Sequence, residues 1–284
     1  MKHMLARTLL LGCWPAFLSG CDSLYYHPDQ VDYLRPDKLK LSYQEHHLSE
    51  AGGPMLNLWH IAPAAGKDRH AVIVQFHGNA QNMSAHFVFV AWLAHAGYDV
   101  VTFDYRGYGL STGVPERAGL LTDGQAVLDW VTKAPGLKGK DIIVFGQSLG
   151  GAVATVVVAQ APLGQVKVLA VESTFASYRG LARTKLGDIW LTWPLQIPLS
   201  YLISDHFNPV TYAPRLQLPF LSLHGTADPV IPLAEGQKLY AAVGSKNKEF
   251  WPLPGAGHIA AFAAEDSPWH RPFIEFICKY AGRC

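Results

Sequence analysis

The stretch Gly146-Gln-Ser-Leu-Gly150 is where residue type and spacing could do chemistry. A serine hydroxyl is a weak nucleophile unless a base removes its proton. Ser148 follows the apolar run 141–145 and precedes Leu-Gly-Gly-Ala-Val-Ala-Thr, which opens a helical pattern. Strand, Gly-x-Ser-x-Gly, helix is a setting in which a sharp turn presents the hydroxyl at a strand's C-terminal end. The turn is too tight for ordinary side chains, so glycines stand two positions either side of the serine. An acyl carbonyl can be attacked there, and N–H groups at the helix start can hold the resulting oxyanion.

Thirteen histidines offer a base. His258 is singled out because it lies in Pro254-Gly-Ala-Gly-His, a loop after the last strand-like run that can bend an imidazole over a sheet edge. The base needs a carboxylate to fix its tautomer and stabilise the imidazolium. Asp228, in Leu223-His-Gly-Thr-Ala-Asp-Pro, follows the preceding strand-like run. Its plainer role would be a helix cap or a turn before Pro229. The oxyanion needs two donors. One is assigned to the N–H of Leu149, the residue after the nucleophile. The other is assigned to the N–H of Asn79 in Phe76-His77-Gly-Asn-Ala80, with Ala80 the near alternative. His77 is read as ordering that loop rather than acting as a base. Asp104 and Arg106 could bind substrate, but buried hydrogen bonds that shape their loop are favoured. For Glu172, support of the site or of the insertion after it is favoured.

The elements that would carry these residues follow from hydrophobic period. Residues 55–61, 71–76, 99–105, 141–145, 166–171, 219–223 and 249–253 are strand-like. Residues 83–96, 117–132, 149–160, 233–243 and 270–280 have helical spacing. Near-continuous apolar strands alternating with helices predict a mostly parallel sheet covered on both faces. One segment breaks the rhythm. Residues 173–215 are too long for a plain crossover, and they are rich in Trp and Pro. They are expected to form a small helical cap over the strands' C-terminal ends, most of its aromatics packing it onto the core.

The chain has 284 residues, a net charge of +1 and only 16% charged residues. With no basic stripe, nucleic acid is not an expected partner. No Cys/His spacing suggests a metal site, and no cofactor is implied. Lys2 and Arg7 followed by an apolar stretch at 8–18 suit a secretory signal and are too short to span a bilayer. The stretch ends Leu18-Ser-Gly-Cys21, which resembles a bacterial lipobox with Cys21 as the lipidated residue. Asp22 directly after it resembles an inner-membrane retention signal. The expected organisation is a signal at 1–20, a tether at 21–40 and one domain at 41–284. The expected location is the bacterial cell envelope, lipid-anchored to the inner membrane facing the periplasm. Cys278 and Cys284 either pair or stay free; the sequence leaves both open.

His77-Gly-Asn-Ala, Asp104-Tyr-Arg-Gly-Tyr-Gly-Leu-Ser, Gly146-Gln-Ser-Leu-Gly-Gly, Glu172-Ser-Thr-Phe, Leu223-His-Gly-Thr-Ala-Asp and Gly255-Ala-Gly-His together resemble the α/β-hydrolase superfamily. The resemblance runs from about residue 55 to the C-terminus. It is strongest to the serine-aminopeptidase-like, Bem-type branch of membrane-associated hydrolases. It implies an α/β-hydrolase fold and the triad order Ser148, Asp228, His258. The lipobox is a departure from the family pattern.

The expected activity is hydrolysis of carboxylic esters or thioesters with an apolar acyl part, through an acyl-enzyme. A peptidase or amidase acting on short peptides is the enzymatic alternative. A non-catalytic lipoprotein binding an envelope partner is the alternative from another class. The physiological substrate, the acyl length and the oligomeric state are not legible.

Overall fold

The structure, a computed structural model, describes residues 25–281 except 50, 51, 68, 69, 162, 188 and 190. The expected signal segment, the lipidated Cys21 and the C-terminal Cys284 lie outside the described residues. Among the described residues ten strands occur in chain order: β1 (His27–Pro28), β2 (Tyr43–Ser49), β3 (Met55–Ile61), β4 (Val72–Phe76), β5 (Ala80–Gln81), β6 (Asp99–Phe103), β7 (Ile142–Gln147), β8 (Val166–Glu172), β9 (Phe220–Gly225) and β10 (Lys248–Leu253). The helices are α1 (Met83–His86), α2 (Val88–His95), α3 (Arg117–Lys133), α4 (Leu149–Gln160), α5 (Tyr178–Gly187), α6 (Gln196–Ser200), α7 (Pro209–Tyr212), α8 (Leu233–Ala242) and α9 (His270–Cys278).

Eight strands form one sheet in the order β2-β3-β6-β4-β7-β8-β9-β10. All neighbours from β6 to β10 are parallel, and β2 and β3 add an antiparallel edge. Alternation along each strand splits the core between two faces. Val72, Val74 and Phe76 of β4 pack on one side with residues of α3, α4 and α8, while Ile73 packs on the other with α2 and α9. In β7, Ile142 and Val144 go to the first face, Ile143 and Phe145 to the second. Each such fully buried side chain contributes about 1.5–3 kcal/mol over leaving it exposed. This two-sided burial makes the strands read as continuous apolar runs.

Strand β2 was not expected. Its sequence, Tyr-Gln-Glu-His-His-Leu-Ser, has little apolar content, and no residue in it is buried. It forms by pairing along its whole length with β3, from Tyr43 opposite Ile61 to Ser49 opposite Met55. That is tertiary context rather than local pattern.

The stretch read as a tether is also different from expectation over 25–40. Tyr26 is buried in the core, β1 pairs in parallel with β5, and Pro36–Leu39 form a 3-10 turn with Pro36 buried. Single anchoring side chains fasten it, so no periodicity announces it. Between β8 and β9 the chain leaves the sheet for α5, α6, α7 and two 3-10 turns. Among the described residues no helix is long and apolar enough to cross a membrane. Cys278 is disulfide-bonded.

Candidate active site

The direction in which successive strands are added to the sheet reverses around β4: its parallel neighbours are β6 on one side and β7 on the other. At such a switch point the connections after adjacent strands diverge and leave a crevice at their C-terminal ends. Register then decides what meets there. Phe76 pairs with Gly146, so two residues further on Gly78 comes beside Ser148. A Cβ built on Gly78 would lie 3.7 Å from Ser148 Cβ. Gln147 pairs with Glu172, so the serine also meets the start of the segment after β8.

Ser148 joins β7 to α4 with φ 53° and ψ −119°. A positive φ at a non-glycine residue is a strained conformation that persists only where the surroundings over-determine it. They do so here. The Ser148 N–H donates to the Glu172 carbonyl (2.9 Å), and the Ser148 carbonyl accepts from Gly151 N–H (3.1 Å) and the Thr174 hydroxyl (2.8 Å). The glycines either side are required by backbone contact. A Cβ on Gly146 would sit 2.6 Å from the Gly150 carbonyl oxygen, and one on Gly150 would sit 2.0 Å from that of Phe76. Ser148 remains half-buried at this turn.

Asp228 and His258 come from the loops after β9 and β10. His258 Nδ1 lies 2.8 Å from Asp228 Oδ2. A carboxylate can only accept, so Nδ1 carries the proton and Nε2 is left free as a base. Asp228 is fully buried at its side chain. Burial pushes its carboxyl upward, but the bond from His258 and the N–H groups of Val230 and Ile231 hold it below its ordinary value. Oδ1 accepts both of those N–H groups, at 2.8 and 2.9 Å. The turn role and the histidine-orienting role therefore fall to different oxygens of one carboxylate.

The two assigned oxyanion donors stand on different elements. Leu149 is the first residue of α4, and Asn79 lies in the loop between β4 and β5. Among the described residues neither N–H donates to a protein acceptor. The Asn79 side chain turns the other way. Its Oδ1 accepts from the Tyr108 hydroxyl (2.8 Å) and His27 N–H (3.3 Å), and its Nδ2 donates to the Tyr25 carbonyl (2.7 Å). His77 is fully buried, its Nδ1–H donates to the Gly78 carbonyl (2.7 Å), and burial lowers it to about 3. It shapes the loop as a neutral ring.

Asp104 and Arg106 have structural partners. The Asp104 carboxylate accepts from Met83 N–H (2.7 Å), and Arg106 forms a forked pair with Asp123. Glu172 is fully buried. It accepts from Ala261 N–H (2.6 Å) and Gln147 Nε2 (2.9 Å), and burial raises its carboxyl. Gln75 Nε2 donates both to Gln147 Oε1 (3.0 Å) and to the His86 carbonyl (2.8 Å). A buried chain of polar groups thus runs behind the serine from the His258 loop to α1. Ile259 N–H, next to His258, donates to the Ser173 hydroxyl (3.2 Å) and ties the same loop to the end of β8.

Sequence reasoning missed His86, Gln75, Gln147 and His224. His86 presses against Gly78: a Cβ there would lie 3.1 Å from His86 Cε1. Its Nε2–H donates to the Ala80 carbonyl (3.0 Å), and burial lowers its ring. His224 Nε2–H donates to the Ile231 carbonyl (2.9 Å) behind Asp228. The one signal on offer was Gln75, a polar residue inside a strand otherwise apolar. Among the described residues no group of three or more His, Cys, Asp or Glu could hold a metal ion.

A strained serine at a strand–helix turn, a histidine and a carboxylate on later loops, and an eight-stranded mostly parallel sheet define an α/β-hydrolase. The chain belongs to this superfamily and to its serine aminopeptidase, S33 family (Hydrolase_4), whose model matches residues 67–204. It is 33% identical over 260 residues to the uncharacterized protein YfhR of Escherichia coli K12, covering 90% of this chain and 86% of that one. It is 28% identical over 228 residues to protein bem46 of Schizosaccharomyces pombe, covering 78% and 73%. Among solved structures it resembles the esterase Pf2001 of Pyrococcus furiosus, with a TM-score of 0.73, 22% identity, and 91% and 99% of the two chains covered.

Proposed function

We propose that the protein hydrolyses carboxylic esters or thioesters with an apolar acyl part. The observation that carries the proposal is the His258–Asp228 pair, with the His258 loop fastened to Glu172 and Ser173 at the end of the strand whose Glu172 carbonyl accepts from Ser148 N–H. In this reading His258 Nε2 takes the Ser148 proton as the hydroxyl attacks the acyl carbon. The N–H groups of Leu149 and Asn79 hold the oxyanion. His258 then gives its proton to the leaving alkoxide or thiolate. Water, deprotonated by the same nitrogen, cleaves the acyl-enzyme and restores the serine. No step calls on a metal or organic cofactor. The proposal places the enzyme in the bacterial cell envelope, held at the inner membrane by lipid on Cys21.

A fluorophosphonate probe is expected to label the wild-type chain and not Ser148→Ala. A labelled alanine variant would rule out Ser148 as nucleophile. The family description favours one second reading, a peptidase on short peptides. Faster turnover of aminoacyl anilides than of p-nitrophenyl esters would select it.

A further inference from the structure

Seven of the thirteen exposed large apolar side chains among the described residues fall between Ile189 and Leu202, within the segment joining β8 to β9. Leu191, Trp193, Tyr201 and Leu202 are each more than 60% exposed, and Leu195 and Ile197 about half. Residues 189–202 include no Asp, Glu, Lys, Arg or His. Single exposed apolar residues are ordinary, but a contiguous uncharged strip marks a surface that meets something apolar.

Chain geometry says what that is. The described chain starts at Tyr25, whose ring packs 5.7 Å from Tyr178, the first residue of α5. Arg117 stacks 3.8 Å over the same Tyr178 ring and donates to the Ser204 and His206 carbonyls, just beyond the strip. The chain therefore enters the domain beside Tyr178, whose ring Arg117 ties to Ser204 and His206, so its entry lies against the residues that flank the strip on both sides. Four chain steps separate Cys21 from Tyr25, a span of at most ~14 Å. A lipid on Cys21 would hold the bilayer surface within that distance of Tyr25. Trp and Tyr with Leu and Ile, and no charge to desolvate, is the composition that settles at a membrane interface.

We infer that the 189–202 strip seats in the bilayer interface, so that the enzyme works with this face against the membrane. Insertion is argued from the strip itself; the orientation rests on the lipid-anchored reading under Proposed function.

The test uses the full chain with vesicles of phosphatidylethanolamine and phosphatidylglycerol. An environment-sensitive NBD fluorophore is placed on Leu191→Cys, Leu202→Cys or, at the other end of the sheet, Lys138→Cys, and corrected for label taken up by the parent chain. Circular dichroism checks that each variant is folded, and hydrolysis of a water-soluble p-nitrophenyl ester is followed in the same samples. The expected result is a blue shift and quenching by lipid-borne nitroxide at positions 191 and 202, and neither at 138. Labels at 191 and 202 as wet as the one at 138 would overturn the inference. So would shielding that needs no vesicles and grows with protein concentration, which would make a second copy the occupant. Ester hydrolysis reports separately on the hydrolase reading, so either can fail without the other.

Discussion

The Asn79 side-chain amide donates to the Tyr25 carbonyl at 2.7 Å, so the loop assigned the second oxyanion donor is fastened to the chain segment that enters the domain. Two further bonds to Asn79 Oδ1, from Tyr108 and His27, complete the fastening. The donor in question is a main-chain N–H, so mutation cannot delete it directly. Mutation can loosen it. Removing an oxyanion donor outright costs roughly 10²–10³ in rate; letting one wander should cost less. Asn79→Ala is expected to lower kcat by about 10-fold or more with little change in KM, while fluorophosphonate still labels Ser148. An unchanged kcat would mean the loop is held well enough by β5 and His86 alone.

Asp228 splits its two oxygens between a turn and a histidine, and Asp228→Asn separates the two roles. The asparagine carbonyl can keep accepting from Val230 and Ile231, so the turn should survive. The amide nitrogen facing His258 is a donor, which forces the wrong tautomer and puts the proton on Nε2. Ester hydrolysis is expected to fall by roughly 10⁴, as in the comparable substitution of a serine-protease triad. The thermal midpoint should move by only a few degrees. Hydrolysis that stays within 10-fold of wild type would remove Asp228 from the mechanism.

Legibility differed between the sheet and the site for a physical reason. The central parallel strands are buried on both faces, so the requirement for apolar side chains is local and shows in β4, β6, β7, β8 and β9. The β2 strand has no such requirement, because it forms on the edge that β3 offers. The elbow at Ser148 was legible because Gly146 and Gly150 answer backbone contacts that no other residue fits. The polar chain from Gln75 through Gln147 to Glu172 was not. Each member bonds a partner on a neighbouring strand, and the strand order that makes them neighbours is a property of the whole sheet. The same holds for Asn79, whose side chain is committed to residues 25 and 27, about fifty positions away in sequence.

Gly150 and Gly78 give a paired steric prediction. A methyl group at Gly150 would overlap the carbonyl oxygens of Phe76 and His77, at 2.0 and 2.4 Å, the first at the end of the central strand β4 and the second directly after it, where backbone cannot yield cheaply. Gly150→Ala is expected to destabilise the fold by about 3 kcal/mol or more, at the upper end of overpacking costs. At Gly78 the first contact is the His86 ring, at 3.1 Å, which must give by a few tenths of an ångström. Gly78→Ala should fold with a loss below about 1.5 kcal/mol, yet lower kcat because the shift falls on the loop beside Ser148. Denaturant midpoints and steady-state kinetics on both variants decide it. Equal stability losses would mean that β4 is no stiffer here than the His86 side chain.

Asp104 gives a prediction in pH. Burial, partly opposed by the Met83 and Leu110 N–H groups, raises its carboxyl from 3.8 to about 7. Among the described residues no cation offsets this, since His77, 3.9 Å away, is itself held neutral by burial. The folded chain therefore keeps a proton at Asp104 that the unfolded chain releases across the range from about pH 4 to 7. The stability linked to this proton is complete below pH 4 and is lost as pH rises through 7. A displacement of that size corresponds to about 4 kcal/mol. Asp104→Asn has no proton to release, although its amide faces an N–H group and adds a penalty that does not vary with pH. The variant's stability relative to wild type should therefore climb between pH 4 and 7.5, by up to about 4 kcal/mol, in urea melts taken at each pH. A difference that stays flat across that range would show that Asp104 is already ionised in the fold, with the Met83 N–H as sufficient partner.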